Sequence, residues 1–189
     1  MSQLGLKPTK ISNILLFGTG CHAKVCIDIV ESQGTYNIIG IIDSIAKVGA
    51  EKYGYTILGT QNELSEIVDK YNVSLWLIAI GDNYVRKLIF DAVVIEVPHF
   101  DFVNIIADRS VLAASVQVGR GNMILKGVII NYQTSVGDFC LFNSGSRIEH
   151  DSKFDDFSQI SAGSISRFRE VRYTGYWFCS CGSNSLWRK

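Results

Sequence analysis

The sequence predicts a two-part fold, a small parallel α/β sheet followed by a parallel β-helix of six-residue repeats, and three observations predict it. Counting by sixes from Val118 gives Val118, Ile124, Ile130, Val136, Phe142, Ile148, Phe154 and Ile160, all apolar. Two residues before each stand Val116, Asn122, Val128, Thr134, Cys140, Ser146, Ser152 and Ser158, small or β-branched apart from the one Asn. Upstream of these rows, short continuous apolar runs alternate with segments of helical spacing. No α-helix sustains a period of six. A three-sided coil does, when each flat side repeats one inward branched residue. Ordinary strands also satisfy a spacing of six, because six is a multiple of two. They do not carry a second, small-residue row in fixed phase, nor run this far without a hairpin signal. Three hexads close one turn, so the row spans nearly three coils.

The upstream elements follow in order. Ile14 to Phe17 is a short buried strand, and Gly18-Thr19-Gly20-Cys21-His22-Ala23 is a glycine loop. Ala23 to Ser32 has helical spacing, with Val25, Ile29 and Val30 on one side. Ile38 to Ile42 is a second apolar strand ending in Asp43. Gln61 to Tyr71 reads as a helix with Leu64, Ile67 and Val68 on one face. Leu75 to Ile80 is a third strand, followed by Gly81-Asp82-Asn83 and a helical segment from Tyr84 to Phe90. Continuous apolar strands between amphipathic helices form parallel sheets, whose ligand loops lie at the carboxyl ends of the strands. The chain then crosses through Phe102 to Ile106 into the solenoid near Ser110. The expected division is 1–106 for the α/β domain, 107–166 for the β-helix and 167–189 for a divergent tail.

Composition excludes several function classes. Among 189 residues, 18 basic and 18 acidic side chains cancel, which gives no electrostatic case for nucleic acid or an anionic membrane surface. Residues 1–10 lack the apolar core of a signal peptide, and no apolar run is long enough to cross a bilayer. Five cysteines form no CxxC pair, so free thiols in a reducing cytoplasm are expected. Three scattered histidines make no metal site.

Gly18-x-Gly20-x-x-Ala23 fits the dinucleotide-binding pattern. Glycine allows close approach of backbone to ligand, and the helix start offers free N–H groups to phosphate oxygens. The pattern is compatible with NAD, with a nucleotide sugar, or with a tight strand-to-helix turn. Asp43 comes somewhat late for a ribose carboxylate. A full NAD site uses two such halves and one is visible, which favours a single nucleotide or nucleotide-linked sugar.

Gly18 to Val25, the strand ending at Asp43, Ala79-Ile80-Gly81-Asp82-Asn83, and Ile148-Glu149-His150-Asp151 in hexad phase together carry a resemblance. Over about residues 12–166 the chain resembles the bacterial sugar O-/N-acyltransferases of the sialic acid O-acetyltransferase type, which include UDP-4-amino-sugar N-acetyltransferases of surface-glycan pathways. The resemblance implies a left-handed β-helix that forms homotrimers, with acetyl-CoA as acyl donor and no metal. It implies His150 as catalytic base with Asp151 beside it. Gly18, Gly20, His22, Asp43, Gly81, Asp82 and Asn83 would line a sugar or UDP-sugar site. Asn143 and Gln159 would lie near acetyl-CoA, although the family often has His where this chain has Gln159. No membrane or nucleic-acid partner is implied, and the expected location is the cytoplasm.

Imidazole suits the proton transfer that acetylation needs, because its ordinary pKa lies near neutrality. Neighbours on a strand point to opposite faces, so from a strand Asp151 would not reach the His150 ring, and Glu149 is an equally near carboxylate. The bland reading makes His150 a surface corner residue. Rival functions are a non-catalytic sugar-nucleotide-binding or assembly protein, and an NAD-binding protein.

After Ile160 the row fails, with Ser166, Arg172 and Phe178 at the next positions. Codons for 173–183 read one base downstream can give Ile-Leu-Gly-Ile-Gly-Ser-Val-Val-Ala-Gly-Ala, which is hexapeptide-like. The tail therefore reads as a frameshifted remnant combined with a small deletion, the alternative being a divergent native cap. On the frameshift reading the chain is weakly active or inactive, doubtful as a trimer and prone to aggregate, because an uncapped coil exposes apolar surface.

Overall fold

A computed structural model describes residues 11–166 and, beyond them, the backbone of two-residue strands at 172–173, 178–179 and 186–187. The frameshift reading of 167–189 otherwise falls outside the described residues. The first sheet has the order β3-β4-β2-β1-β5-β6, from β1 (Ser12–Phe17), β2 (Tyr36–Ile42), β3 (Glu51–Lys52), β4 (Tyr55–Gly59), β5 (Leu75–Ile78) and β6 (Asp101–Phe102). Only the β3–β4 pair is antiparallel. The chain builds outward from β1 on one side and then jumps to β5 on the other. Such a switch point opens a crevice at the carboxyl ends of the strands.

Central strand β1 is buried on both faces, with Ile14, Leu15, Leu16 and Phe17 at most 1% exposed, as an uninterrupted apolar run requires. Ile14 and Leu16 pack with α1 (Cys21–Gln33); Leu15 and Phe17 pack on the side of α2 (Leu64–Tyr71) and α3 (Asn83–Glu96). The buried stripe of α1 is Ala23, Cys26, Ile27, Ile29 and Val30, whereas Val25, expected inside, is exposed. At 100° per residue, a stripe through 23, 26, 27 and 30 leaves 25 on the opposite face. The β3–β4 hairpin has no apolar run to announce it. Its turn is Tyr53-Gly54, both with positive φ.

The β-helix has three parallel sides. The first is β7 (Ile105–Ile106), β10 (Met123–Ile124), β13 (Leu141–Phe142) and β16 (Gln159–Ile160). The second is β8 (Val111–Leu112), β11 (Ile129–Ile130), β14 (Arg147–Ile148) and β17 (Ile165–Ser166). The third is β9 (Gln117–Val118), β12 (Ser135–Val136) and β15 (Lys153–Phe154). Every residue of the six-spaced row ends one of these strands, and from Ile124 to Ile160 the row is buried at 5% exposure or less. Two differences from the sequence reading appear. The first coil begins at Ile105, not near Ser110, since Ile106 and Leu112 continue the row backwards. The coil also continues past Ile160, where Ser166 takes the next inward place at 2% exposure. A small residue satisfies that position without being apolar.

A further six-residue rhythm is visible only in the backbone. Gly121, Gly127, Gln133, Phe139, Gly145, Asp151, Phe157 and Gly163 all have positive φ. Each lies three residues before a row residue and bends the chain from one side to the next. Asn122, the misfit of the small-residue row, is fully buried. Its Oδ1 accepts from Cys140 N at 2.7 Å and its Nδ2 donates to Gly137 O at 2.9 Å. Asn104 makes the same pair of bonds one coil earlier, to Asn122 N and Gly119 O. Asn122→Ala should therefore strand a buried donor and acceptor. A loss of about 2–4 kcal/mol in chemical unfolding is expected, and less than about 1 would refute the ladder's role.

Candidate functional site

The carboxyl edge of the first sheet brings together most of the residues expected to bind sugar. Gly18 (φ +103) needs its glycine twice over, because a Cβ there would stand 2.9 Å from Ile80 Cγ1. Gly20 is the N-cap of α1, extended and without a side-chain cap; Ala23 N donates to Gly20 O at 3.0 Å, and the N–H groups of Cys21 and His22 at the start of this 13-residue helix are left for an anion. The start of α3 differs, because Asp82 Oδ1 accepts from Val85 N at 2.9 Å and closes it. Tyr53, on the β3–β4 turn, donates its hydroxyl to Thr19 O at 3.2 Å and braces the loop. Only the Tyr-Gly turn signal could have marked this residue in the sequence.

Asp43 acts inside the protein. Its Oδ2 accepts from Thr19 N at 2.8 Å and Thr19 Oγ1 at 2.7 Å, and its Oδ1 accepts from Ile45 N and Ala46 N, both at 2.9 Å. Burial pushes this carboxyl up, but the hydrogen bonds outweigh it and hold the group below the ordinary aspartate range. A depressed folded pKa means the stabilisation is complete above the unfolded value, near pH 4, and drains as pH falls through the lower folded one. The contribution of Asp43 to the urea midpoint, read as the difference between wild type and Asp43→Asn, should stay level from neutral pH to about 4 and decline below it.

His22 follows Cys21 in the first turn of α1, its ring against Gly81, where an added Cβ would lie 3.4 Å from His22 Cγ. Burial, and then the charge of Arg86, lower its pKa to about 4, so it is neutral at physiological pH. His22 Nε2 and Asn83 Nδ2 are buried without a hydrogen-bond partner.

His150 and Asp151 form the turn between β14 and β15 rather than part of a strand. The expectation that Asp151 would miss the ring is corrected here. With φ +59, Asp151 turns its carboxylate back, and Oδ2 lies 2.5 Å from His150 Nδ1. Both side chains are about a third exposed, at 36% and 39%. Beside the pair, Ser115, Gln133, Asp151 and Lys153 line an open depression of about 450 Å³. Asn143 lies at a different corner, after β13, with its Oδ1 accepting from Ser144 N, and Gln159 stands in β16. One chain therefore does not bring Asn143 and Gln159 to the corner of His150. No group of His, Cys, Asp and Glu among the described residues could hold a metal ion. No helix among them is long and apolar enough to cross a membrane.

Comparison with known proteins bears on the fold and the relatives of the chain. Residues 13–93 match the model of the PglD N-terminal domain. The UDP-N-acetylbacillosamine N-acetyltransferase of Bacillus subtilis (strain 168) is 27% identical over 117 residues, 61% of this chain. The chain spans about half, 52%, of that relative's length. A crystal structure of a variant of perosamine N-acetyltransferase from Caulobacter crescentus, in complex with CoA and GDP-perosamine, superposes with a TM-score of 0.73 at 27% identity, covering 82% of this chain and 71% of the other. The acetyltransferase domain of PglB from Neisseria gonorrhoeae FA1090, in complex with acetyl coenzyme A, shares the fold with a TM-score of 0.71 at 20% identity, covering 82% and 73%. The solenoid is thus the expected left-handed β-helix. Residues 13–93 are thus similar to PglD N-terminal domains, and most of the chain is similar to sugar N-acetyltransferases with the same fold.

Proposed function

We propose that the protein is an acetyl-CoA-dependent N-acetyltransferase acting on a nucleotide-linked amino sugar of a glycan pathway in the cytoplasm. Residues 1–106 would hold the acceptor and 107–166 would carry the chemistry. The observation that carries this is the His150–Asp151 pair at an open corner of the β-helix. With Nδ1–H donated to Asp151, the second ring nitrogen keeps its lone pair and serves as base. The sugar amine attacks the thioester carbonyl, forming the C–N bond, while His150 takes the amine proton. The C–S bond then breaks, and the departing CoA sulfur takes a proton in turn. Asp151 stabilises the imidazolium that forms between these events.

The acceptor's diphosphate is placed at the open start of α1, and Asp43 shapes that loop from within. The acyl donor is placed along the corner of Asn143, where Gly127 and Gly145 stack without side chains and would let an extended chain lie close. Because that corner and the His150 corner are separate in one chain, the donor and the base would meet between two copies, which supports a homotrimer. Thiol release from acetyl-CoA, followed with UDP- and GDP-linked 4-amino sugars as acceptors, tests the reading directly. Release dependent on the amino sugar is expected, and binding of the sugar nucleotide without release would leave a non-catalytic binding protein instead. Asp43→Ala should weaken sugar binding more than acetyl-CoA binding in calorimetry, and equal losses would argue against a separate sugar domain.

A further inference from the structure

Among the described residues, Arg86 is the one charged residue whose side chain is fully buried, at 0% exposure. Burial lowers its pKa to about 10, so it remains cationic. No carboxylate among the described residues pairs with it at salt-bridge distance. Its bonds go to backbone carbonyls instead: Nε donates to Phe139 O at 2.9 Å, and Nη1 to Ile80 O at 2.8 Å and Gly81 O at 3.3 Å. Nη2 is buried with no partner. A desolvated guanidinium held only by carbonyls is a costly anchor, and an apolar side chain of similar size often serves stability as well or better. What Arg provides that an apolar group cannot is a rigid planar fork with fixed donor directions.

The two ends of that fork lie in different halves of the protein. Ile80 and Gly81 form the loop after β5, whose far side meets His22 and leads into Asp82 and Asn83. Phe139 is a corner of the β-helix in a strained left-handed conformation (φ +57). Its ring is fixed between Phe90 at 4.6 Å, Phe102 at 4.8 Å and Phe157 at 5.1 Å. Building on the function proposed above, we propose that Arg86 is a positioning residue for the nucleotide-sugar acceptor: it locks the crevice loop Ile80–Asn83 to the β-helix corner at Phe139, and so sets where the acceptor's amine is presented. It touches no reactant. A displacement of about 1 Å in such a frame can cost about 100-fold in rate.

The test uses the full chain with Arg86→Met, which keeps the volume and removes the fork, and Arg86→Lys, which keeps the charge at one point. Two acceptors are compared, a nucleotide-linked 4-amino sugar and the same sugar without the nucleotide. The linked acceptor relies on the crevice and the free one does not. For Arg86→Met the expected kcat/KM on the linked acceptor is about 10–100-fold down, with the free acceptor and the KM of acetyl-CoA unchanged. Arg86→Lys should fall between. An unchanged linked-to-free ratio overturns the proposal, and so does an equal loss on both acceptors, which is what a merely structural role would give. If Arg86→Met does not fold, the same ratio in Arg86→Lys decides. Calorimetry separates this inference from the catalytic reading. Even without turnover in the wild type, weakened sugar-nucleotide binding with intact acetyl-CoA binding in the variant supports the lock, and equal sugar-nucleotide binding refutes it.

Discussion

Replacing His150 with Ala is expected to lower the turnover of acetyl transfer by about two to four decades while leaving both substrates bound nearly as before. The ring sits on a turn, about a third exposed, and it contributes to none of the described hydrophobic clusters. The thermal midpoint should therefore barely move. Asp151→Asn should give a smaller loss than His150→Ala, because the ring keeps its place but loses the charge that favours its protonated form. Steady-state kinetics on a folded, ligand-binding variant checks this, and a residual rate within about threefold of wild type would remove His150 from the mechanism.

The second large effect concerns stability, and its order reverses the usual one. Phe139 joins the aromatic cluster of Phe90, Phe102 and Phe157 and is 1% exposed, yet its backbone is left-handed. Phe139→Ala removes the ring and keeps a side chain on a strained backbone, so a loss of about 3–5 kcal/mol is expected. Phe139→Gly loses the same packing but relieves the left-handed strain, worth about 1 kcal/mol, and should be the less harmful of the two. At an ordinary buried position glycine is the worse replacement. Urea unfolding of both variants decides, and a glycine variant less stable than the alanine one would show that the strain is not felt.

Much of this architecture is legible in the chain because its signals are periodic. The apolar row from Val118 to Ile160 fixes the strands of the β-helix, since every sixth residue has to point inward. The loops proposed to hold the sugar are legible for a related reason, since Gly18, Asp43 and Gly81 follow uninterrupted apolar strands whose carboxyl ends must meet. What escapes is set by contacts distant in sequence. Tyr53 reaches Thr19 across 34 positions, and Arg86 reaches Phe139 across 53. Neither separation has a period. Asp43 is expected from its strand end to line the sugar site, but its bracing of the loop through four donors depends on neighbours that only folding supplies. The His150–Asp151 contact depends on a single backbone angle that spacing does not encode.

The eight left-handed corners also divide by edge. One edge of the β-helix has glycine at each of its left-handed corners, Gly127, Gly145 and Gly163. A second carries Gly121 and then Phe139 and Phe157, whose rings weld the coil to α3. The third carries Gln133 and Asp151, one coil apart, at the corner that presents His150. A repeat that can use glycine at no steric cost departs from it four times, accepting about 1 kcal/mol at each departure. It does so only at corners packed against the other domain and at the corner that carries His150. The bare edge is the one along which a long, thin molecule meets the least obstruction.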